Sequence, residues 1–517
     1  MSRSDAIDAV VVVPPLSPSD TNPPLGPYLL KACAERRGLR VDVADLSVRH
    51  LNRFKGSQSR SSDYVLGDQD KDRAATHAAR DHFRKFSPLV GEPTLYLPCS
   101  SDPMLGMHYS FDSVERAVSR ACEPTSEYRR LVEEDLFAHY PVPPHVLGLS
   151  IMGPAQVLMA FVVARLAKRR WPRTQVIAGG SHITLLADQI AQDSRYGGDI
   201  GLFMAGHCEV QFAEVVQHVT EKGCLPTGYG IRAGAGRTAV CDRPAQLTLG
   251  GRSRSSTSLF EYLPSMDRRA TLLYDTLHVT LPMQLTRGCS FGRCSYCTYP
   301  AVEPAPDIEP DWARALAAVT QMLRVTGVHR FSFKDSYFTP RNLRSLAHRL
   351  CEAGLNIEWS ATTLLHDALS ARMLQELHRS GCRTLEFGLE TIDPIGQQVF
   401  GKLLDVGMCE RVISDATDAG IAVVINQILG WPGQTLASAE GQLAWYRSVQ
   451  SRSPELIHAS LNMLEVNRGA PMSKDPQKYG IVIKGFSPWA FSADWNAPAW
   501  RATFALRSQV PPFATQC

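Results

Sequence analysis

Short β-branched apolar runs alternate with stretches of helical periodicity along most of this chain. "AIDAVVVVPP" (Ala6 to Pro15) is an apolar run stopped by two prolines, as a buried strand is. "GPYLLKACAERRG" follows with apolar positions at helical spacing and closes on Gly38. "LRVDVADL" predicts a second strand. The rhythm resumes with the strand "VLGLSI" (Val146 to Ile151) and an amphipathic helix from Ala155 to Arg170. The strands "QVIAGG" and "DIGLFMAGH" and a helix from Cys208 to Lys222 complete the series. Strands alternating with helices predict an α/β fold with a parallel, doubly wound, Rossmann-like sheet. Such sheets take ligands at the carboxyl ends of their strands. Pro15, Ser150, Gly179, Gly180 and Gly206 fall at those ends, although Gly179 and Gly180 also suit a plain turn.

A second series begins at "LPMQLT" (from Leu281). "HRFSFKD" (His329 to Asp335), "NIEWSA", "RTLEFGLE", "IAVVINQILG" and "LIHASLNML" follow, with helical stretches between them. Six strands in this order predict a partial (βα)6 barrel, whose site gathers at the strands' carboxyl ends. The expected organisation is a Rossmann-like domain over 1–235, a linker over 236–275, a barrel over 276–465 and a C-terminal extension over 466–517. The polar, proline-spotted stretch 57–144 reads as a helical and irregular insertion in the first domain. Trp489, Trp495 and Trp500 in the extension are expected to cap the barrel mouth.

Composition narrows the function classes. Of 517 residues, 44% are hydrophobic and 20% charged, as in a globular protein of two or three domains. A net charge of +3 is too small for a nucleic-acid footprint. No run is apolar for the eighteen or so residues of a membrane span, and the amino terminus lacks a signal-peptide pattern. The chain is therefore read as cytoplasmic, with neither nucleic acid nor membrane as a partner.

Ten of the 13 cysteines are scattered, but three fall in "GCSFGRCSYC": Cys289, Cys294 and Cys297. In a reducing compartment such clustering favours a metal. Three thiolates leave one iron of a 4Fe–4S cluster open, and an open position marks a reactive site. Gly288 and Gly292 give the loop room to wrap a cluster. Structural zinc with His278 or His329 as fourth ligand is the competing reading.

The loop, its place after the first barrel strand and the motifs that follow resemble the radical S-adenosylmethionine superfamily over Leu281 to Leu464. The family's usual spacing is Cys-x3-Cys-x2-Cys with an aromatic before the last cysteine. Here it is Cys-x4-Cys-x2-Cys with Tyr296 in the aromatic place, which predicts a bulge at Gly292–Arg293. "RFSFKDSYF" with Asp335, "GCRTLEFGLET" with Glu390 and "INQILGWPGQT" with Gly430 resemble segments of the family's cobalamin-dependent branch. Gln434 stands where glutamate is usual, and Lys402 where the branch often has lysine.

The resemblance implies Cys289, Cys294 and Cys297 as ligands of a 4Fe–4S cluster. The open iron would bind S-adenosylmethionine, and one electron would release a 5′-deoxyadenosyl radical. It also implies Tyr296, Asp335, Glu390 and Gly430 as S-adenosylmethionine contacts. From the residues alone, Tyr296 also suits loop packing, Glu390 a strand-end salt bridge and Asp335 a helix cap before "TPRNL". Lys402 and Gln434 read as solvated surface positions.

Over Ile7 to Phe212 the first domain resembles the branch's cobalamin-binding domain. That implies cobalamin contacts at Pro15, Ser150, Gly179, Gly180, Gly206 and Glu209. The Asp-x-His-x-x-Gly motif of histidine-ligated cobalamin is absent from the chain. The function implied is a cobalamin-dependent methyltransferase acting on an unactivated carbon of a small-molecule or peptide natural-product intermediate, supplied with electrons by a flavodoxin- or ferredoxin-type donor. The alternatives are a cyclisation, ring contraction or other rearrangement with the same cofactors, and a non-enzymatic metal-bound binding protein.

Overall fold

The structure is a computed structural model; it describes residues 7–15, 22–50, 52, 110–234, 263–274, 279–303, 310–490 and 492–496, with single positions at 499, 503 and 506. It divides into two compact units. One is formed by residues up to Val279 together with Ser487–Phe491, apart from a few residues near 100. The other is formed by Thr280–Phe486 and the residues from Ser492. Among the described residues no helix is long and apolar enough to cross a membrane.

The first unit holds five parallel strands: β1 (Ala9–Val13), β2 (Val41–Asp45), β3 (Val146–Ser150), β4 (Gln175–Gly179) and β5 (Leu202–Phe203). Their order is β2-β1-β3-β4-β5. Alternate side chains serve different cores, as the period of two requires. Val10, Val12, Leu147, Leu149, Val176 and Ala178 join a cluster with the helix Val157–Arg170. Ala9, Val11, Val146 and Ile177 join another with the helix Glu209–Lys222. Both faces are thus covered, which is why β1 reads as an unbroken apolar run. The sheet is doubly wound as expected, and the order reverses direction between β1 and β3, where such folds place ligands. The stretch expected as the strand "DIGLFMAGH" pairs only at Leu202–Phe203. In the region expected as an insertion, Phe111–Ala121 and Glu127–Val132 are helices, followed by a π-helical turn at Glu133–Phe137.

Trp489 lies in the first unit's core, so the expectation that it caps the barrel is corrected. It is 3% exposed and meets Phe161 and Tyr196 edge-on at ring distances of 4.8 and 4.6 Å. The Tyr196 hydroxyl donates to the Pro488 carbonyl at 2.6 Å. Trp495 belongs to the second unit, in β13 (Ala493–Trp495), which pairs antiparallel with β12 (Ile483–Phe486). Trp500 and His278 lie outside the described residues, as does most of the expected linker.

The second unit is built on six parallel strands: β6 (Leu281–Met283), β7 (Arg330–Phe333), β8 (Glu358–Thr363), β9 (Cys382–Glu390), β10 (Ala422–Leu429) and β11 (Ile457–Met463). They lie side by side in chain order, each reached through helices, the arrangement expected of a partial (βα)6 barrel. The helices start where the sequence supplies caps. Thr339 caps Pro340–Glu352, Ser370 caps Ala371–Arg379 and Asp405 caps Val406–Asp418, each accepting from a backbone N–H.

Candidate functional site

The cysteine loop leaves β6 and is held at its start by Asp335. One Asp335 oxygen accepts from the Leu285 and Thr286 amides at 3.1 and 2.5 Å and from the Thr286 hydroxyl at 2.6 Å. Burial pushes its carboxyl up to about 7, against the opposing pull of those hydrogen bonds. Asp335 does not cap the following helix, a role taken by Thr339. It is held by the backbone of Leu285 and Thr286 and by the Thr286 hydroxyl, and so supports the start of the loop. The neighbouring Ser336 hydroxyl donates to the Gly288 carbonyl at 2.8 Å.

Gly288 (φ 83°) and Gly292 (φ 55°) adopt the left-handed conformation that glycine tolerates. The second falls at the step where the extra residue was expected to bulge. The Gly292 amide donates to Cys289 Sγ at 3.4 Å and the Tyr299 amide to Cys297 Sγ at 3.3 Å. Burial pushes the Cys294 and Cys297 thiols up to about 11, with the other cysteines adding to the rise and Lys402 opposing it. At neutral pH these sulfurs become thiolates only when a cation binds them. Among the described residues no three His, Cys, Asp or Glu side chains converge on a single-ion site. A cluster does not need such convergence, because each thiolate takes a different iron. Half-buried sulfurs, amide donors and left-handed glycines fit an iron–sulfur cluster.

The loop is clamped from two sides. The Ser295 amide donates to the Phe400 carbonyl at 3.1 Å and its hydroxyl to the Val399 carbonyl at 2.6 Å. The Met472 amide donates to the Ser295 carbonyl at 2.9 Å. Between Cys294 and Cys297, Tyr296 packs edge-on against Phe400 at 5.2 Å and donates its hydroxyl to Glu390 Oε1 at 2.6 Å. Lys402 Nζ reaches the same oxygen at 2.8 Å and donates to the Gly388 carbonyl at 3.0 Å.

Lys402 is only 5% exposed, which corrects its reading as a surface position. Burial alone would lower its pKa, but Glu390 and the cysteines reverse this and hold it above the usual lysine value. Glu390 combines the salt bridge allowed for it with contact to the loop. It is the one non-glycine with positive φ (66°) among the described residues, at the end of β9, where a register shift pairs it with Gln427. Such a conformation costs roughly 1–3 kcal/mol and persists only where the surroundings over-determine it. Here the Gln442 amide donates to its carbonyl at 3.1 Å and to Gln427 at 3.1 Å.

Gly430 (φ 75°) closes β10, and its N–H is taken by Gln434 Oε1 at 2.6 Å. Gln434, 4% exposed, is therefore a turn-former and not a solvated residue.

In the first unit, Gly180 (φ 108°) is required by the chain itself. A Cβ there would lie 2.3 Å from the Ile151 carbonyl oxygen, and one on Gly179 would lie 3.2 Å from that of Met204. The Gly206 amide is taken by the Thr184 hydroxyl at 2.9 Å. Pro15 follows β1, Ser150 ends β3 and Glu209 opens the helix Glu209–Lys222. Sequence reasoning passed over Gln156. Fully buried, it donates to the Pro14 carbonyl at 2.8 Å and accepts from the Met152 amide at 2.7 Å. It thereby ties together the turns after β1 and β3 at the switch point. A lone glutamine at the start of a helix gave no signal of this.

Residues 283–443 match the family model described as the Radical SAM superfamily. An uncharacterized methyltransferase of Pyrococcus horikoshii is 22% identical over 318 residues, covering 59% of this chain. The match spans 64% of that relative's length. Among solved structures, the chain resembles the radical S-adenosylmethionine methyltransferase TsrM of Kitasatospora setae, a structure with cobalamin and a [4Fe-4S] cluster bound. The TM-score is 0.64 at 14% identity, over 98% of this chain and 89% of that one. It also resembles the cobalamin-dependent S-adenosylmethionine radical enzyme OxsB with aqua-cobalamin and S-adenosylmethionine bound, at TM-score 0.62 and 11% identity, over 97% and 66% of the two chains. The family match falls on the barrel and its cysteine loop, so residues 283–443 form a radical SAM domain.

Proposed function

We propose that the chain is a cobalamin-dependent radical S-adenosylmethionine methyltransferase acting on an unactivated carbon of a small-molecule or peptide intermediate of natural-product biosynthesis. The observation that carries the reading is the three-cysteine loop, clamped through the Tyr296 hydroxyl to the Glu390 oxygen that Lys402 also holds. Bound, a 4Fe–4S cluster supplies the electron that cleaves S-adenosylmethionine, and a corrin supplies a transferable methyl group.

In this reading Cys289, Cys294 and Cys297 hold the cluster. Tyr296 and Glu390 border the S-adenosylmethionine site, and Gly430 shapes its edge. Lys402 pairs with Glu390 and orients it. Asp335 fixes the start of the loop. Pro15, Ser150, Gly206 and Glu209 line the carboxyl edge of the first unit's sheet, where small residues let a flat group approach the backbone. Gly180 serves that edge by letting the chain after β4 pass close to the end of β3, and Gly179 by letting the end of β4 pass close to the residue after β5. The resemblance to TsrM and OxsB across nearly the whole chain supports cobalamin in the first unit. The Pyrococcus relative and TsrM favour methyl transfer over rearrangement. An external one-electron donor of flavodoxin or ferredoxin type completes the system.

The test is anaerobic reconstitution with iron, sulfide and cobalamin, followed by an absorption spectrum and an S-adenosylmethionine cleavage assay. The wild type gains cluster and corrin bands and forms 5′-deoxyadenosine. Cys294→Ala loses the cluster band and the cleavage. Cleavage surviving in that variant sinks the assignment. With substrate, methylated product and S-adenosylhomocysteine mark methyl transfer, whereas an isomerised product with 5′-deoxyadenosine alone marks rearrangement.

A further inference from the structure

Parallel strands covered on both faces read as continuous apolar runs, but those of the barrel do not. One set of alternate residues turns to the helices. The Trp359 indole donates to the Ser380 carbonyl at the end of the helix Ala371–Arg379, and Gln427 meets Gln442 on the helix Leu436–Gln450. Ala361, Leu385, Phe387, Val423 and Ile425 share that parity and are buried.

The opposite, inner face carries a polar row across four neighbouring strands and into a fifth, flanked on β10 by the apolar Val424 and Ile428. Ser360 on β8 donates to Ser332 on β7 at 3.1 Å. Thr362 on β8 meets Glu386 on β9 at 3.5 Å, Asn426 on β10 donates to Glu386 Oε1 at 2.7 Å, and Ser460 on β11 is in register with Asn426. All but Ser332 are half-buried and so keep some exposure to solvent. Glu386 is the acidic group in the middle of this row. Among the described residues no Lys, Arg or His lies within ion-pair distance of it. The charges nearest the amino end of the same face, Arg330 and Glu358, are paired with each other at 3.1 Å. Glu386 is four residues before Glu390 on one strand, about 13 Å from the cluster end. Its two hydrogen-bond partners are neutral, so they orient the carboxylate without neutralising it.

We propose that the inner face of the barrel is the substrate-anchoring site and that it selects a molecule carrying a primary ammonium group. Glu386 receives that group, and Thr362, Asn426 and Ser460 hydrogen-bond its polar neighbours. A half-buried carboxylate held in place without a cation gains most from a ligand that brings one. The spacing from Glu390 sets a ligand of small-molecule length between the anchor and the cluster end. The inference rests on the proposed enzyme function only in naming the bound molecule a substrate.

The test is a fluorine NMR titration of the full chain, without cluster or corrin, using 4-fluorobenzylamine and its neutral counterpart N-(4-fluorobenzyl)acetamide. The wild type is expected to bind the amine about tenfold or more tightly than the amide, the worth of a charge-assisted hydrogen bond. Glu386→Gln keeps an acceptor for Asn426 and abolishes the preference. Glu386→Asp keeps the charge and part of the preference, which separates recognition from folding. No amine binding, equal binding of the two probes, or a preference that survives Glu386→Gln each overturns the proposal. Because the titration needs no redox cofactor, its failure is distinct from a failure of S-adenosylmethionine cleavage.

Discussion

Lys402→Met removes one charge from a pair whose two side chains are each 6% exposed. The methionine keeps the length and volume of the lysine stem but leaves the Glu390 carboxylate with the Tyr296 hydroxyl as its remaining side-chain donor. Breaking a buried ion pair from one side costs about 3–5 kcal/mol, because the surviving charge stays desolvated without compensation. In a unit of roughly 200 residues this lowers the unfolding midpoint by about 6–20 °C. Glu390→Gln alone leaves a buried ammonium and is expected to cost a similar amount. The double variant Lys402→Met/Glu390→Gln buries no charge and is expected to recover most of the loss, since neutral replacement of a buried pair is often tolerated. Thermal melts of the full chain followed by circular dichroism, run as a double-mutant cycle, read the coupling. A single Lys402→Met variant melting within about 2 °C of wild type, or a double variant as unstable as the sum of the singles, refutes the reasoning. The double variant is also expected to lose S-adenosylmethionine cleavage while remaining folded.

Two further predictions concern supports of the fold. The Asp335 carboxyl is raised from 3.8 to about 7 by burial. A raised folded-state pKa means that its contribution to stability is full at acidic pH and declines as pH rises from about 4 through about 7. Asp335→Asn keeps an acceptor for Leu285 and Thr286 and should flatten that dependence, whereas Asp335→Ala should cost about 3 kcal/mol for its three lost hydrogen bonds; melts at pH 6 and pH 8 compare them. Trp489→Ala should destabilise the first unit by about 3–5 kcal/mol. Trp489→Phe should cost less, since the indole N–H has no hydrogen-bond partner among the described residues; denaturation followed by aromatic circular dichroism ranks the two.

The parts legible in the sequence are those written in local pattern. "RTLEFGLE" and "IAVVINQILG" mark β9 and β10 because β-branched and aromatic residues bounded by turns have few other uses. The cysteine loop was legible because three thiols at that spacing have a narrow chemistry. Lys402 was misread because its neighbourhood looks solvated: Leu403 beside it is 75% exposed. Its partner lies twelve residues upstream, at the end of β9. The hold of Asp335 on the loop was not legible, and a helix cap stood open to it, because its partners Leu285 and Thr286 are about fifty positions away. The polar inner face was visible as alternation in "EWSATT" and "IHASLNM". Which parity faced the helices was not, because polar residues such as Gln427 stand on the helix side too.

The place of Trp489 bears on how the protein is made. Its ring partners Phe161 and Tyr196 leave the ribosome roughly three hundred residues ahead of it. Domains otherwise tend to fold in the order of synthesis. Here the first unit emerges with an aromatic slot that stays unfilled until Thr280–Phe486 of the second unit has been synthesised. A nascent chain, or a fragment cut at Val279, therefore exposes an apolar notch bounded by Phe111, Phe161 and Tyr196. Synthesis of Ser487–Phe491, rather than completion of the five-stranded sheet, is the event that makes the unit whole.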